Sequence, residues 1–335
     1  MLKNEWKEQG YISEPVASGT DLKAEIRRLC QEKDAIILAH YYTTGDIQDV
    51  ADFVGDSLAL ARKAAETDAR MMVMCGVHFM AETCKLLSPE KTVLCPDLNA
   101  GCSLADSCKA EDLKAFKEDH PGYKVVSYVN TTAAVKALTD VVVTSGNAKK
   151  VVDQLPKDAK LIFGPDYNLG NYINSVTGRE MLLWQGGCHV HERFSVEGIL
   201  KLKKQYPEAV VMAHLECKGP VLALADVKGS TADMLRYARE NKATQYIVAT
   251  EAGILHELQR TCPGKEFIPV PPEVSEGASD GAMAVSCGCN ECQYMKMNTL
   301  VKIYNTLKYE WPAIEIEPEL AREAVKPIER MLQLS

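Results

Sequence analysis

Several absences narrow what this 335-residue chain can be. No run of apolar residues is long enough to cross a bilayer, and the first ten residues are polar and charged, without the apolar centre of a secretory signal. A cytoplasmic protein with no membrane partner is therefore expected. Basic residues are in deficit: 38 Lys and Arg against 46 Asp and Glu give a net charge of −8 and an isoelectric point near 5.5. That balance argues against nucleic acid as a main partner, while leaving room for local pockets that take small anions. No Gly-x-Gly-x-x-Gly follows any expected strand, which disfavours a nicotinamide-dependent dehydrogenase.

Cysteine, by contrast, is plentiful, with 12 in the chain. In a large acidic chain without a signal, metal or redox use is a better reading than a disulfide framework. Three thiols crowd into Cys287-Gly-Cys-Asn-Glu-Cys292. Thiolates favour zinc, copper(I) or iron–sulfur clusters. A closed zinc site would want a second Cys or His pair at short spacing, and none is nearby, so partner ligands must come from afar.

A threefold repeat supplies them. Short apolar strands alternate with helices, the pattern of parallel βα units. The helix Leu22 to Glu32 leads into Ala35–Ala39, which ends at His40. Val50 to Val54, Gly55-Asp-Ser57, a helix to Glu66, Met71–Met74, a helix from Phe79 and Thr92–Cys95 follow, ending at Cys102. The order returns as Lys124–Tyr128, Val141–Ser145, Leu161–Gly164 and Met181–Trp184, ending at Cys188. It returns again as Ala209–His214, Gly229-Ser-Thr231, Tyr246–Glu251 and Phe267–Val270. His40, Tyr128 and His214 are 88 and 86 residues apart, Ser57, Ser145 and Ser230 are 88 and 85 apart, and Cys102 and Cys188 are 86 apart. Cys292 comes 104 residues after Cys188, as though a loop near Pro271–Ser286 were inserted. The expected division is 1–104 with a helical lead-in, 105–192, 193–292, and a helical tail 293–335, broken at Trp311-Pro312, against the first unit.

In open parallel sheets ligands collect beyond the carboxyl ends of the strands, so three units about a pseudo-threefold axis would aim those ends at one centre. Three loop thiolates converging there suit a [4Fe–4S] cluster with one iron left open as a Lewis acid. Cys102 and Cys188 follow glycine in loops, as ligands do. Cys30, Cys75, Cys84, Cys95, Cys217 and Cys262 read as small buried hydrophobes, and Cys108 stays open. Cys287 and Cys289 are alternative ligands or a redox pair that withdraws Cys292. The helix starts at Ser57, Ser145 and Ser230-Thr231 carry ordinary capping residues, which together would offer hydroxyls and free N–H groups to phosphate or carboxylate. Glu216, one step along an extended segment from His214, reads as a general base or an ordinary ion-pair residue. His191 reads as a substrate ligand or a structural histidine, and His78, His120, His189 and His256 read as structural.

The motifs together resemble quinolinate synthase, the iron–sulfur enzyme family of NAD biosynthesis. The matching stretches include Ala39-His-Tyr-Tyr42, Val54-Gly-Asp-Ser57, Tyr128-Val-Asn-Thr131, Thr144-Ser-Gly-Asn147, Pro165-Asp166 with Asn168-Leu-Gly170, Gly187-Cys188 with His191, His214 with Glu216-Cys217, Gly229-Ser-Thr231, Thr250-Glu251, and Cys292 with Met295. The resemblance runs from about Ala35 to Leu300. It implies three Rossmann-like α/β/α domains with parallel sheets around a central site, and a [4Fe–4S] cluster on Cys102, Cys188 and Cys292. It also implies condensation of iminoaspartate with dihydroxyacetone phosphate to quinolinate, phosphate and two waters, and a functional link to the aspartate-oxidising enzyme that makes iminoaspartate. By the same likeness His40, Tyr42, Ser57, Tyr128, Asn130, Ser145, His214, Ser230 and Thr231 line the cavity, Glu216 is acid/base and Tyr42 moves protons. Departures are Thr43 where the family usually has Gln, Tyr167 and Asn171 in place of flanking basic residues, and Cys-x-Cys-x-x-Cys spacing at the end. The rivals are a hydro-lyase using the same open-iron chemistry, and an iron–sulfur or zinc sensor without turnover.

Overall fold

A computed structural model describes residues 2–272 and 290–335. Cys287, Cys289 and most of the inserted Pro271–Ser286 stretch lie outside the described residues. Among the described residues, twelve strands form three separate four-stranded sheets, all parallel. The first holds β1 (Ala35–His40), β2 (Phe53–Gly55), β3 (Met71–Cys75) and β4 (Thr92–Leu94) in the order β2-β1-β3-β4. The second holds β5 (Lys124–Tyr128), β6 (Val141–Val143), β7 (Leu161–Gly164) and β8 (Leu182–Leu183) in the order β6-β5-β7-β8. In the third, β9 (Val210–His214), β10 (Val227–Gly229), β11 (Gln245–Ala249) and β12 (Glu266–Pro269) run β10-β9-β11-β12. One topology three times is the α/β architecture of three Rossmann-like units that the repeat implied.

Sheets covered by helices on both faces need strands that are apolar throughout rather than alternating. The central strands comply: every residue of β3, Met71-Met-Val-Met-Cys75, is buried. Register carries the symmetry into the backbone. His40 pairs with Gly55, Tyr128 with Val143 and His214 with Gly229, so each first strand ends beside the end of its neighbour.

A polar device also recurs in each unit. Asp52, Asp140 and Asp226 accept from the amides of Ile37, Val125 and Val211 at 2.7, 2.8 and 2.9 Å, while their own amides donate back to the carbonyls of the same residues. The pair of bonds ties the start of each edge strand to the strand beside it. These aspartates are 88 and 86 residues apart, the spacing of the first-strand ends.

Element ends differ from expectation in places. Val50 closes the helix Gly45–Val50, and the strand starts only at Phe53. The fourth strand of the second unit shrinks to Leu182–Leu183. In the tail, the helix Leu300–Tyr309 packs on Leu22–Lys33 of the first unit. The helix Pro318–Leu334 reaches further, lying on β6 and Ala133–Lys136 of the second unit as well as His78–Leu87 of the first. Its buried face, Ala324, Ile328 and Met331, joins a single apolar cluster with Val141, Val143 and Leu86, which is why contact with one unit alone does not satisfy it.

Arg179 shows what holds the second unit's periphery. Its buried guanidinium donates to the carbonyls of Leu155 (2.6 Å), Pro156 (2.7 Å), Lys157 (3.1 Å) and Val152 (3.2 Å), closing the end of the helix Ala148–Gln154. Arg179→Met strands those carbonyls, and we expect a loss of about 2–4 kcal/mol of unfolding free energy, given that unmet buried groups cost about 1–3 kcal/mol each and some regain water. The denaturant midpoint of the Arg179→Met chain checks this; an unchanged midpoint would contradict it.

Candidate active site

The three first strands deliver equivalent side chains to one place. Each ends in a ring-bearing residue, His40, Tyr128 or His214, and two residues later comes Tyr42, Asn130 or Glu216. All six line one cavity. The helices after the second strands start at the same rim, and Ser57, Ser145 and Thr231 line it too. Ser230 does not. It is the N-cap of Thr231–Glu240, its hydroxyl engaged with the amide (3.2 Å) and carboxylate (2.8 Å) of Asp233 in a reciprocal capping box. The cavity register is thus Ser57, Ser145 and Thr231, with intervals of 88 and 86 that match the first-strand ends.

The remaining expected residues, Cys102, Cys188, His191 and Cys292, are also in the lining. Cys102 stands at the N-cap of Ser103–Asp106, and Cys188 Sγ lies 3.2 Å from His191 Nδ1. The cysteines retain some surface open to the cavity, although protein surrounds each of them. Burial first, and then Cys292, push the Cys102 thiol up to about 12, and burial first, then the charge of Glu216 and the sulfur of Cys102, push the Cys188 thiol well above its ordinary value. Burial likewise carries Cys292 up to about 11. Three buried thiols held this far above their ordinary range form a donor set that becomes anionic only against a strongly bound cationic centre. Soft, convergent and short of counter-charge, the three thiols fit an iron–sulfur cluster. Cys188 Sγ, His191 and Glu216 also have donor atoms within 4.8 Å of one another, so the thiol wall and the carboxylate wall of the cavity adjoin.

Glu216 is buried and closely surrounded. Tyr128 Oη donates to its Oε1 at 2.6 Å, His191 Nδ1 is 3.2 Å from Oε2, and His214 Nδ1 is 3.6 Å from Oε1. Burial works to raise its pKa, but the facing His191 and His214 and the bonds from His191 and Tyr128 outweigh it, holding the carboxyl below its ordinary range. Tyr128 moves the other way: burial, then the charge of Glu216, push its phenol well above 10, so it stays a donor.

The two histidines at strand ends share one tautomer for one reason. Tyr42 N donates to His40 Nδ1 at 3.1 Å, and Glu216 N donates to His214 Nδ1 at 3.3 Å. An imidazole that accepts at Nδ1 carries its proton on Nε2. His214 Nε2 is 3.3 Å from Ser145 Oγ. Burial lowers His40 to about 3 and His214 to about 4, so both are neutral donors near pH 7.

This has a measurable consequence for stability. Between about pH 6.5 and 4 the unfolded chain protonates both imidazoles and the folded chain does not. The stabilisation is whole above pH 6.5 and is lost as pH falls, at up to about 1.4 kcal/mol per pH unit for each histidine. We expect the urea midpoint of the cluster-free chain to fall over that window, and His214→Asn to flatten the fall; an equal slope in that variant would contradict it.

Some participants carried no role in the sequence reading. Thr250 Oγ1 bridges Tyr42 Oη (2.7 Å) and His191 Nε2 (3.0 Å). His189, read as structural, lines the cavity with its Nδ1 2.7 Å from Ser103 Oγ. Asp56, the N-cap of Ser57–Glu66, and Glu251 are also in the lining. No Lys or Arg is among the described lining residues, so an anion here meets hydroxyls, N–H groups and neutral imidazoles.

Known proteins of similar sequence fall in one family. The family model described as quinolinate synthetase A protein (NadA) matches residues 24–333. The chain is 49% identical over 323 residues to a quinolinate synthase of Nostoc sp., covering 96% of each. It is 51% identical over 315 residues to that of Thermosynechococcus vestitus, covering 94% of this chain and 96% of the relative. With the quinolinate synthase of Chloroherpeton thalassium it shares 51% identity over 318 residues, covering 95% and 96%.

Proposed function

The chain belongs to the quinolinate synthase family of NAD biosynthesis, and from that premise we propose that it condenses iminoaspartate with dihydroxyacetone phosphate in the cavity where the three sheets meet. The observation that carries the reading is the convergence of three thiols and an ionised Glu216 on one cavity rimmed by hydroxyls. Cys102, Cys188 and Cys292 would hold a [4Fe–4S] cluster, which when bound supplies a Lewis acid at an iron that no cysteine occupies.

The protein's own groups then have separate tasks. Ser57 and Thr231, at the starts of their helices, and Ser145, in the turn before Ala148–Gln154, bind the phosphate and carboxylate oxygens of two anionic substrates without needing ammonium groups. Nε2–H of His40 and of His214 donates to substrate oxygens, fixing their orientation and meeting charge that develops on a carbonyl oxygen. Glu216 takes a proton from a substrate carbon onto a carboxylate oxygen and returns it to a departing hydroxyl. Tyr128 Oη holds that carboxylate in place, and Tyr42 Oη, seated on Thr250, exchanges a proton with the substrate during isomerisation. Burial of Glu216, His40 and His214 keeps bulk water away from these groups, which favours the loss of water over its addition.

The test is elemental analysis of protein purified without oxygen, followed by a quinolinate assay. We expect about four iron and four sulfide per chain, the content of a cubane, and product from the two substrates. Stoichiometric zinc instead, or iron without turnover, would overturn the reading.

A further inference from the structure

Of the three thiols, Cys102 and Cys188 sit in the loops that close the first and second units. Cys292 comes at the end of the third unit, just before the tail, and its anchoring is unlike theirs. Glu251, just past the end of β11, is fully buried. Its Oε1 accepts from the Cys292 amide at 2.9 Å and from Lys296 Nζ at 2.8 Å, and its Oε2 accepts from the Gly253 amide at 2.6 Å. Lys296 Nζ donates as well to the main-chain carbonyl of Tyr42 at 2.7 Å. One buried carboxylate and one ammonium therefore join the third unit, the tail and the first unit at the cavity edge.

The neighbouring backbone tightens the junction. A Cβ on Gly253 would come within 2.8 Å of Tyr42 Cα, so only glycine permits this approach. Gln48 Nε2 binds the carbonyls of Tyr41, Thr43 and Gly253, and the Ala252 amide binds the carbonyl of Asn290. Bonds to ionised groups are stronger than neutral ones, and a buried carboxylate deprived of its cation is left uncompensated. The pair is thus placed to hold two functional groups at once: the thiol of Cys292 through its amide, and Tyr42 through its carbonyl.

We propose that Glu251 and Lys296 are positioning residues that set the third thiol and Tyr42 in one arrangement before any metal binds. The proposal rests on the reading of Cys292 as a cluster ligand, and it makes the tail and the Tyr42 turn a single mechanical unit. Loosening one end of the pair frees the other.

Hydrogen exchange on the cluster-free chain tests the clamp without any metal. In Lys296→Met, peptides covering 290–298 and 41–46 should both exchange about tenfold faster, the effect of releasing a local closed state, and Lys296→Arg should restore both. In the anaerobically loaded protein, Lys296→Met and Glu251→Gln should lose iron to EDTA about tenfold faster than the parent, again with recovery in Lys296→Arg. Unchanged exchange in both peptides, acceleration in one alone, or no rescue by arginine would overturn the proposal. Cys292→Ala separates this from the underlying reading: if that variant keeps iron and sulfide, the cluster assignment falls, whereas its loss beside an unaltered Lys296→Met removes only the clamp.

Discussion

Cys188→Ala should yield a folded chain that retains neither iron nor sulfide and forms quinolinate at least about a thousandfold more slowly. The magnitude follows from the chemistry assigned to the site. A Lewis acid contributes several kcal/mol to a transition state in which an oxygen gains charge, and about 4 kcal/mol is a thousandfold. Folding should survive, because the Cys188 side chain faces the cavity rather than the apolar core, and its one hydrogen-bonding neighbour, His191, keeps Thr250. The contrast is Cys84→Ala. That thiol is buried 3.8 Å from Met74 Sδ in the first unit's core, so its loss should affect stability by about 1 kcal/mol and leave iron untouched. Iron, sulfide and product are measured on the two variants side by side. An active Cys188→Ala enzyme would refute the three-thiol site, whatever the family.

Glu216→Gln should divide binding from chemistry. The amide is the same size, and its oxygen can still accept from Tyr128 Oη, so the cavity and the cluster should persist. What disappears is a base that can take a proton, and kcat should fall about 10²–10⁴-fold, the usual contribution of a positioned acid/base group. KM should change far less, since the groups assigned to substrate oxygens are Ser57, Ser145, Thr231 and the two imidazoles. Full iron content with normal turnover would remove Glu216 from the mechanism. Loss of iron would instead make it a support for the cluster.

Much of this could be read from residue order. The three units were visible because a buried parallel strand must be apolar along its whole length, and such runs stand out between helices. The strand ends and the first two loop thiols recurred at near-constant intervals, and equal spacing along repeated units becomes equal position in space. Asp52, Asp140 and Asp226 obey the same intervals and could have been found, but an aspartate in a connection draws no attention until its amide partner is known. The choice between Ser230 and Thr231 turned on a capping box, in which Asp233 draws the Ser230 hydroxyl away from the cavity.

Other features had no local signature. Lys296 looks like any lysine, Thr250-Glu251 matched the family without a role, and apart from the Gly253 amide the partners named for them lie 41 to 254 residues away in the chain. The span of the helix Pro318–Leu334 over two units likewise depends on surfaces that exist only after the sheets have assembled. Periodicity and spacing are properties of the chain itself, and they determined the three units, the convergence of their strand ends and which thiols line the cavity. Burial, proton positions and the clamp on Cys292 were decided by tertiary structure, because a charge acquires its pKa and its partner only from neighbours that folding brings from distant parts of the chain.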